Sequence, residues 1–210
     1  MNIHPSRKMD ADKRAQLFDV AIREFVAHGF GKASLNRIIR EVKMSKSSFY
    51  HYFSNKTELF KQIMHQSLDP FMLVLEDFDF ELLTTESFWP TLKETSQQAV
   101  GMFIENPQII LLGRMFYKSL EEIKEQGLTW DFMQDMQGFV TKFLKRGQVL
   151  GVIRDDLPDS FLITSVIGLG MSIDRWMIEN FHTIDPKEFD YLNIQTLDMF
   201  ERLLAPTLKE

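Results

Sequence analysis

Apolar residues recur along the whole chain at intervals of three and four positions, which is the periodicity of an α-helix. In the first such segment Leu17, Ala21 and Phe25 fall on one stripe of a helix. Strict alternation of apolar and polar residues, the pattern of a half-buried strand, is absent, and so are the short turn signals of a β-hairpin. The pattern therefore predicts an all-α protein.

Start and stop residues divide this pattern into about nine helices. Gly29 and Gly151 are predicted stops, since glycine readily adopts the positive φ that often ends a helix. Pro70 is expected to kink or end the fourth helix, and the acidic segment 77–86 is predicted to be a loop. The predicted helices span residues 11–29, 35–42, 46–53, 56–70, 87–106, 108–126, 129–150, 157–181 and 185–204.

Residues 34–53 predict two short helices joined by a tight turn. Ser45 can cap the second helix, and Phe49 and Phe53 lie four positions apart, so both can point into a core with Met44. The other positions of this helix share two properties: each can donate a hydrogen bond and none is negatively charged. They are Lys46, Ser47, Ser48, Tyr50, His51 and Tyr52. Such a surface suits a polyanion with acceptor edges, as in the DNA major groove.

The charge of the chain is distributed unevenly. The formal net charge is −6, but residues 1–60 hold 11 Lys/Arg and 6 Asp/Glu, a net of +5, and the remaining residues a net of −11. The basic segment coincides with the candidate DNA-binding helices, which favours a nucleic-acid role for this part over a chance fluctuation.

The stretch SKSSFYHYFSNKTEL, preceded by SLNRIIREVKM, closely resembles the helix-turn-helix of the TetR family of bacterial transcriptional regulators. Phe25, Gly29-Phe30 and Lys32-Ala33-Ser34 match upstream. The resemblance implies a three-helix DNA-binding domain over residues 1–54 and a helical effector-binding and dimerisation domain over 55–210. One departure is Val42-Lys43 where the family usually has Ala-Gly. If Lys43 is left-handed, it costs about 1 kcal/mol relative to glycine.

The donors of the second helix, the helix caps and the resemblance together define a predicted DNA site. Ser34 and Arg37 lie near the start of the first motif helix, whose free N–H groups favour a phosphate. The matching lysine of the family holds a phosphate, which implies the same role for Lys56. The predicted DNA-binding residues are Ser34, Arg37, Ser45, Lys46, Ser47, Ser48, Tyr50, His51, Tyr52 and Lys56.

The later helices have two predicted tasks. The last two carry apolar stripes, and Gly168 and Ser172 would allow a partner helix to approach closely. The resemblance implies a homodimer through these helices on a palindromic operator. The central helices are rich in residues suited to an apolar or aromatic effector, although the same spacing fits ordinary core. Asp174 and Arg175 could be pocket anchors or an ion pair across the dimer interface. The candidate pocket residues are Met102, Phe103, Met115, Phe116, Trp130, Met133, Met136, Phe139 and Arg175.

The sequence favours a regulator over an enzyme. Cysteine is absent, the five histidines lack metal-ligand spacing, and no nucleophile or phosphate-loop motif occurs, so we predict no metal and no cofactor. We expect a cytoplasmic protein without a membrane span, because the longest apolar run, 161–173, is too short. The predicted function is a sequence-specific transcriptional regulator, a repressor released from DNA by a small apolar or aromatic effector. The alternatives are the same fold with a protein partner, or a helical enzyme that does not bind DNA.

Overall fold

The computed structural model describes residues 9–120, 125 and 130–207. In these residues it contains nine α-helices and no strand, which confirms the all-α prediction. The helices are α1 Ala11–Lys32, α2 Leu35–Glu41, α3 Lys46–Tyr52, α4 Lys56–Glu76, α5 Phe88–Glu105, α6 Pro107–Lys118, α7 Trp130–Val149, α8 Asp159–Asn180 and α9 Pro186–Leu204.

The chain forms two compact units. The first contains the described residues up to 70 and within 108–129, and the second contains 71–107 and the described residues from 130 onward. Most of α4 and α6 therefore group with the N-terminal helices, because Phe60, Ile63, Leu112 and Met115 are buried in the same core as α1 to α3. The predicted functional boundary between residues 54 and 55 stays a prediction.

The core of the first unit is built largely from phenylalanine. Phe25, Phe30 and Phe60 form a triangle with ring centroids 5.0 to 5.8 Å apart, and all three are at most 1% exposed. Gly29 makes this packing possible. Its φ of 73° breaks α1, so that Phe30 turns back under the bundle. The helix is thus broken at Gly29, where the stop was predicted, but helical backbone resumes as far as Lys32. The phenylalanine core fixes α1 against α4.

The second unit has its own core and polar cross-links. The Phe88 and Phe143 rings stack at 5.2 Å, which packs α5 on α7. Lys93 on α5 donates to Asp198 and Glu201 on α9 at 2.7 and 3.0 Å. These hydrogen bonds raise the pKa of the Lys93 ammonium. The unit thus holds α9 to α5 by an ion pair as well as by apolar contacts.

Two segments differ from the sequence prediction. Helix α4 continues through Pro70 to Glu76, so the helix does not end there, while the alternative of a kink at Pro70 stays a prediction. The acidic segment 77–86 is not wholly a loop, because Phe80–Leu82 forms a 3-10 turn. Phe80 is buried in the second core against Phe139 at 5.0 Å, and this tertiary contact orders the turn.

Helix α8 is exposed to an unusual degree for an apolar helix. By length and composition alone, the 22 residues of Asp159–Asn180 are sufficient to cross a membrane. The expectation that no segment is long and apolar enough for a membrane span is therefore wrong. Only 11% of its most apolar window is buried. Phe161 and Trp176 on α8, and Tyr191 and Met199 on α9, are about half exposed or more. The two helices therefore present apolar surface that the single chain does not cover.

The turn between α2 and α3 is a Schellman motif with lysine at the glycine position. Met44 N–H donates to Ile39 O, Lys43 N–H donates to Arg40 O, and Lys43 has φ 51°. Met44 and Ile39 are both buried, which supplies the apolar contact of the motif. Lys43 thus adopts the left-handed conformation that the sequence had left as one possibility, and its side chain is exposed.

Lys43→Gly should raise the free energy of unfolding by about 1 kcal/mol, because glycine adopts this φ without a Cβ penalty. Lys142→Gly is the matched control. Lys142 is also an exposed lysine but lies inside α7, where glycine should lower stability by about 1 kcal/mol. Urea denaturation of both variants measures the two changes. Destabilisation by Lys43→Gly would mean that the lysine side chain stabilises the turn by more than the backbone strain.

Candidate nucleic-acid interface

Helix α3 is anchored by two buried phenylalanines. Phe49 and Phe53 are fully buried, and their rings stack at 5.3 Å. Ser45 caps the helix, since its Oγ accepts from Ser48 N–H at 3.1 Å and shares a hydrogen bond with Ser47 Oγ. The predicted cap and the predicted core positions are thus confirmed, and the opposite side of the helix is fixed in orientation.

The outward side of α3 carries the predicted donors. Lys46, Ser47, Tyr50 and His51 are exposed, with Tyr50 54% exposed. The Tyr50 ring lies edge-on to the Phe49 ring with centroids 5.5 Å apart. In the described residues this surface has donors from four neighbouring positions and no carboxylate on the helix itself. Such a surface can hydrogen-bond to base edges or phosphates.

Ser48 and Tyr52 are less available than predicted. Both are half-buried, and Tyr52 packs against the core of the first unit and edge-on to His51 at 4.8 Å. The sequence pattern could not separate Tyr52 from Tyr50, because both flank buried phenylalanines on the same short helix.

Tyr52→Ala should therefore lower stability by about 1 to 2 kcal/mol in addition to any loss of DNA binding, because it removes half-buried ring contacts. Tyr52→Phe keeps those contacts and removes only the hydroxyl. We expect its melting temperature to stay near wild type while specific DNA binding weakens. Thermal denaturation and a band-shift titration of both variants separate the two effects. Wild-type DNA binding by Tyr52→Phe would remove Tyr52 from the predicted readers.

The N-terminus of α2 is positioned by a carboxylate that the sequence did not single out. Ser34 caps the helix through Arg37 N–H at 3.3 Å, as predicted. The Ser34 N–H in turn donates to Glu24 Oε1 at 2.7 Å, and Arg37 Nε lies 3.0 Å from the same carboxylate. Glu24 is 8% exposed and sits on the apolar side of α1. The position of Glu24 within the apolar stripe of α1 is the sequence feature that could have indicated this role.

Arg37 therefore has a structural task beside its predicted one. Its Nε is bound to Glu24, although the side chain remains 45% exposed. The Arg37 contact with a phosphate stays a prediction. Arg23 and Glu41 form a second ion pair between α1 and α2 at 3.0 Å, on the surface.

The ammonium of Lys56 is directed into the protein. Its Nζ donates to the carbonyls of Phe30, Gly31 and Ala33 at 2.6, 2.9 and 3.1 Å, and lies 4.8 Å from the centre of the Phe30 ring. The three donors of an ammonium are thereby used within the chain. The structure thus gives Lys56 a role other than the predicted phosphate contact, which stays a prediction. The cap at Asn55 is present, since its Oδ1 accepts from Glu58 N–H at 2.8 Å.

Comparison with known proteins identifies this arrangement. Residues 17–63 match the family model described as bacterial regulatory proteins, tetR family, and this range contains α2, α3 and the start of α4. Residues 17–63 are therefore a TetR-type helix-turn-helix region. An HTH-type transcriptional regulator of Haemophilus influenzae is 29% identical over 180 residues, which cover 82% of this chain and 88% of that protein. The likeness to this regulator thus extends from the DNA-binding region over most of the chain.

The likeness in fold to solved structures extends beyond residues 17–63 to most of the chain. The Bacillus subtilis regulator FadR, solved with stearoyl-CoA, is 14% identical with a TM-score of 0.65, covering 89% of this chain and 96% of its own. SmeT, the repressor of the Stenotrophomonas maltophilia efflux pump SmeDEF, was solved with triclosan and is 18% identical. Its TM-score is 0.69, with 92% of each chain covered. At these identities the likeness establishes the fold alone.

The predicted pocket residues have different surroundings. Met115 is 1% exposed in the core of the first unit, with Phe116 packed against it, so both have the core role that the sequence left open. Phe139 packs in the second core, and Met102, Met133 and Met136 are half-buried. Arg175 is exposed and paired with Glu179 at 2.8 Å in its own helix. The side chains of Phe103 and Trp130 lie outside the described residues. The pocket as a whole stays a prediction.

Proposed function

We propose that this TetR-family regulator is a homodimeric repressor that binds a palindromic operator through α3 and leaves it when a small apolar or aromatic molecule binds. The observation that carries the DNA-binding part is the donor surface of α3, held outward by Phe49 and Phe53. A helix of this kind fits the major groove, and its donors match the acceptor edges of bases.

The proposed DNA contacts fall into two groups. Ser47, Tyr50 and His51 are the proposed base readers. They are exposed hydrogen-bond donors and, unlike Lys46, they are not permanent cations. Lys46 and the N-terminus of α2 at Ser34 are proposed to hold phosphates, since a cation and the positive end of a helix dipole both attract an anion. Arg37 adds positive charge beside that helix terminus.

The homodimer is supported by the uncovered surface of α8 and α9. Phe161, Gly168 and Trp176 on α8 are exposed and follow helical spacing, with Ser172 between the last two. On α9, Tyr191, Met199 and Leu203 are exposed at intervals of four or eight residues. Apolar side chains at this density on two adjacent elements mark an interaction surface. A second copy satisfies it with two-fold symmetry, as a palindromic operator requires.

A protein partner explains α8 better than a lipid bilayer does. Asp174 and Arg175 lie within the helix and are both exposed. Each charged residue at the centre of a membrane helix costs about 2.5 to 3.5 kcal/mol. In a dimer the same residues can remain at the polar rim of the interface, where ion pairs are tolerated. We therefore assign the apolar face of α8 to the partner subunit.

The effector class is supported by relatives and by composition. FadR was solved with stearoyl-CoA and SmeT with triclosan, a long-chain acyl thioester and an aromatic molecule. The described central helices of this chain carry half-buried Met102, Met133 and Met136, whose flexible thioethers adapt to apolar ligands. Helix α4 includes residues of both compact units, so it is available to transmit an effect of binding.

Release of DNA tests this proposal directly. The operator is first recovered by selection from genomic fragments. Its complex with the protein is then titrated with long-chain acyl-CoA and with hydrophobic aromatic compounds, and fluorescence anisotropy measures the fraction of DNA that stays bound. We expect members of one class to dissociate the complex while the protein remains folded. Retention of the complex with both classes, together with release by a protein from the same cell, would replace the small molecule with a protein partner.

A further inference from the structure

The α1–α2 junction, residues 29–34, comprises the last residues of α1 after its break and the link to α2, and it is held by side chains of α1 and α4 and by Ser119 after α6. This junction begins at Gly29, where the backbone has φ 73° and ψ 167°, and ends at Ser34, the cap of α2. A bend of this kind leaves backbone N–H and C=O groups without helical partners. Here side chains of α1 and α4, and that of Ser119 directly after α6, form hydrogen bonds with several of those groups. These side chains all belong to the first compact unit.

Lys56, the first residue of α4, binds the carbonyl side of the junction. Its three hydrogen bonds go to residues within four positions of one another, at 2.6 to 3.1 Å, and the Phe30 ring lies beneath the ammonium. Hydrogen bonds from a charged donor are stronger than neutral ones. The last of these carbonyls belongs to Ala33, directly before the α2 cap. The start of α4 is thus tied to the start of α2.

Ser119, directly after α6, binds the other end of the junction. Its Oγ accepts from Phe30 N–H at 3.4 Å and lies 3.2 Å from the place where a Cβ on Gly29 would be. Ser119 is 7% exposed, one of the few buried polar residues among those described. Because it is buried, Ser119 has no direct access to DNA. Any effect of this hydroxyl on DNA binding must act through the junction.

We propose that Lys56 and Ser119 are positioning residues that hold the α1–α2 junction, and thereby the α2 N-terminus, in the geometry that binds operator. A displacement of α4 or α6 would be passed to the Ser34 cap through these hydrogen bonds. This role for Lys56 differs from a phosphate contact, because the ammonium acts through Ala33 and Ser34. The inference rests on the proposed DNA binding for its effect on affinity, but the junction itself can be measured without DNA.

Hydrogen exchange of the free protein is the first measurement. Lys56→Met keeps the side-chain stem and removes the donors, and Lys142→Met removes an exposed lysine of α7 as the control. We expect amide exchange over residues 30–37 to accelerate at least tenfold in Lys56→Met, with α7 unchanged. In Ser119→Ala we expect faster exchange at Phe30. The Lys142→Met variant should match wild type at the junction.

Operator binding against salt concentration is the second measurement. A positioning role predicts about tenfold weaker operator binding for Lys56→Met with an unchanged salt slope, and about threefold weaker binding for Ser119→Ala. A phosphate contact would lower the slope by about one unit instead. Unchanged junction exchange in Lys56→Met together with that lower slope would overturn the proposal. If Lys56→Met does not fold, unchanged exchange at Phe30 in Ser119→Ala overturns it. Failure to find any operator would contradict the proposed DNA binding, whereas the hydrogen-exchange measurement on the free protein would still test the junction.

Discussion

Gly168→Glu should convert the proposed dimer into a folded monomer and lower operator affinity at least about 100-fold. Gly168 is exposed on α8, and a Cβ there meets nothing within 4 Å in its own chain. The substitution should even stabilise the isolated helix, by about 0.5 to 1 kcal/mol, since glycine is unfavourable inside helices. Across a close helix–helix contact, however, the glutamate would clash and bury a charge. Loss of the second half-site contact then removes the gain from bivalent binding, which is a factor of about 10² to 10⁴ in affinity.

Gly138→Glu is the matched control for this variant. Gly138 lies in α7, is exposed and also has open space at the Cβ position. It should remain a dimer and bind operator as wild type does. Sedimentation velocity of both variants gives the oligomeric state, and circular dichroism gives the fold. A dimeric Gly168→Glu would contradict the assignment of α8 to the interface, and dissociation of both variants would point to an effect of charge alone.

The triple variant S47A/Y50F/H51A should lose specific operator binding by about 100-fold while keeping non-specific binding. Each well-formed base contact contributes about 1 to 3 kcal/mol of discrimination. The three changes remove neutral donors from the outward side of α3 and leave its buried anchors in place. Tyr50→Phe preserves the edge-on ring contact with Phe49. Fluorescence anisotropy on operator and on scrambled DNA measures the two affinities.

Lys46→Ala provides the contrast to the triple variant. Lys46 is exposed at the start of α3 and contributes a charge rather than a neutral donor. We expect it to weaken operator and scrambled DNA by similar factors and to lower the salt slope by about one unit. If the triple variant instead lost affinity for operator and scrambled DNA by the same factor, Ser47, Tyr50 and His51 would not be base readers.

The local features of the DNA-binding unit could be predicted from the sequence. The caps at Ser34, Ser45 and Asn55 depend on residues within three positions, and all three hydrogen bonds are present. These features share one cause: short-range hydrogen bonding and backbone sterics decide them, and both can be inferred from neighbouring residue types.

Features that depend on distant parts of the chain could not be predicted in this way. Lys56 binds carbonyls 23 to 26 positions earlier, and Ser119 binds Phe30 across 89 positions. Met115 has the spacing of a pocket residue and of a core residue alike, and only packing against α1 to α4 distinguishes them. Helix α4 passes Pro70 although proline in isolation favours an end, because neighbouring structure outweighs local preference.

Selection of genomic DNA fragments by the purified protein tests the central claim most directly. A homodimer that reads DNA through α3 should enrich an inverted repeat whose half-sites lie about one helical turn, or a multiple of it, apart. The S47A/Y50F/H51A variant should enrich no sequence under the same conditions. Recovery of fragments without a common motif by the wild-type protein at low salt, or the same motif with the triple variant, would contradict the account.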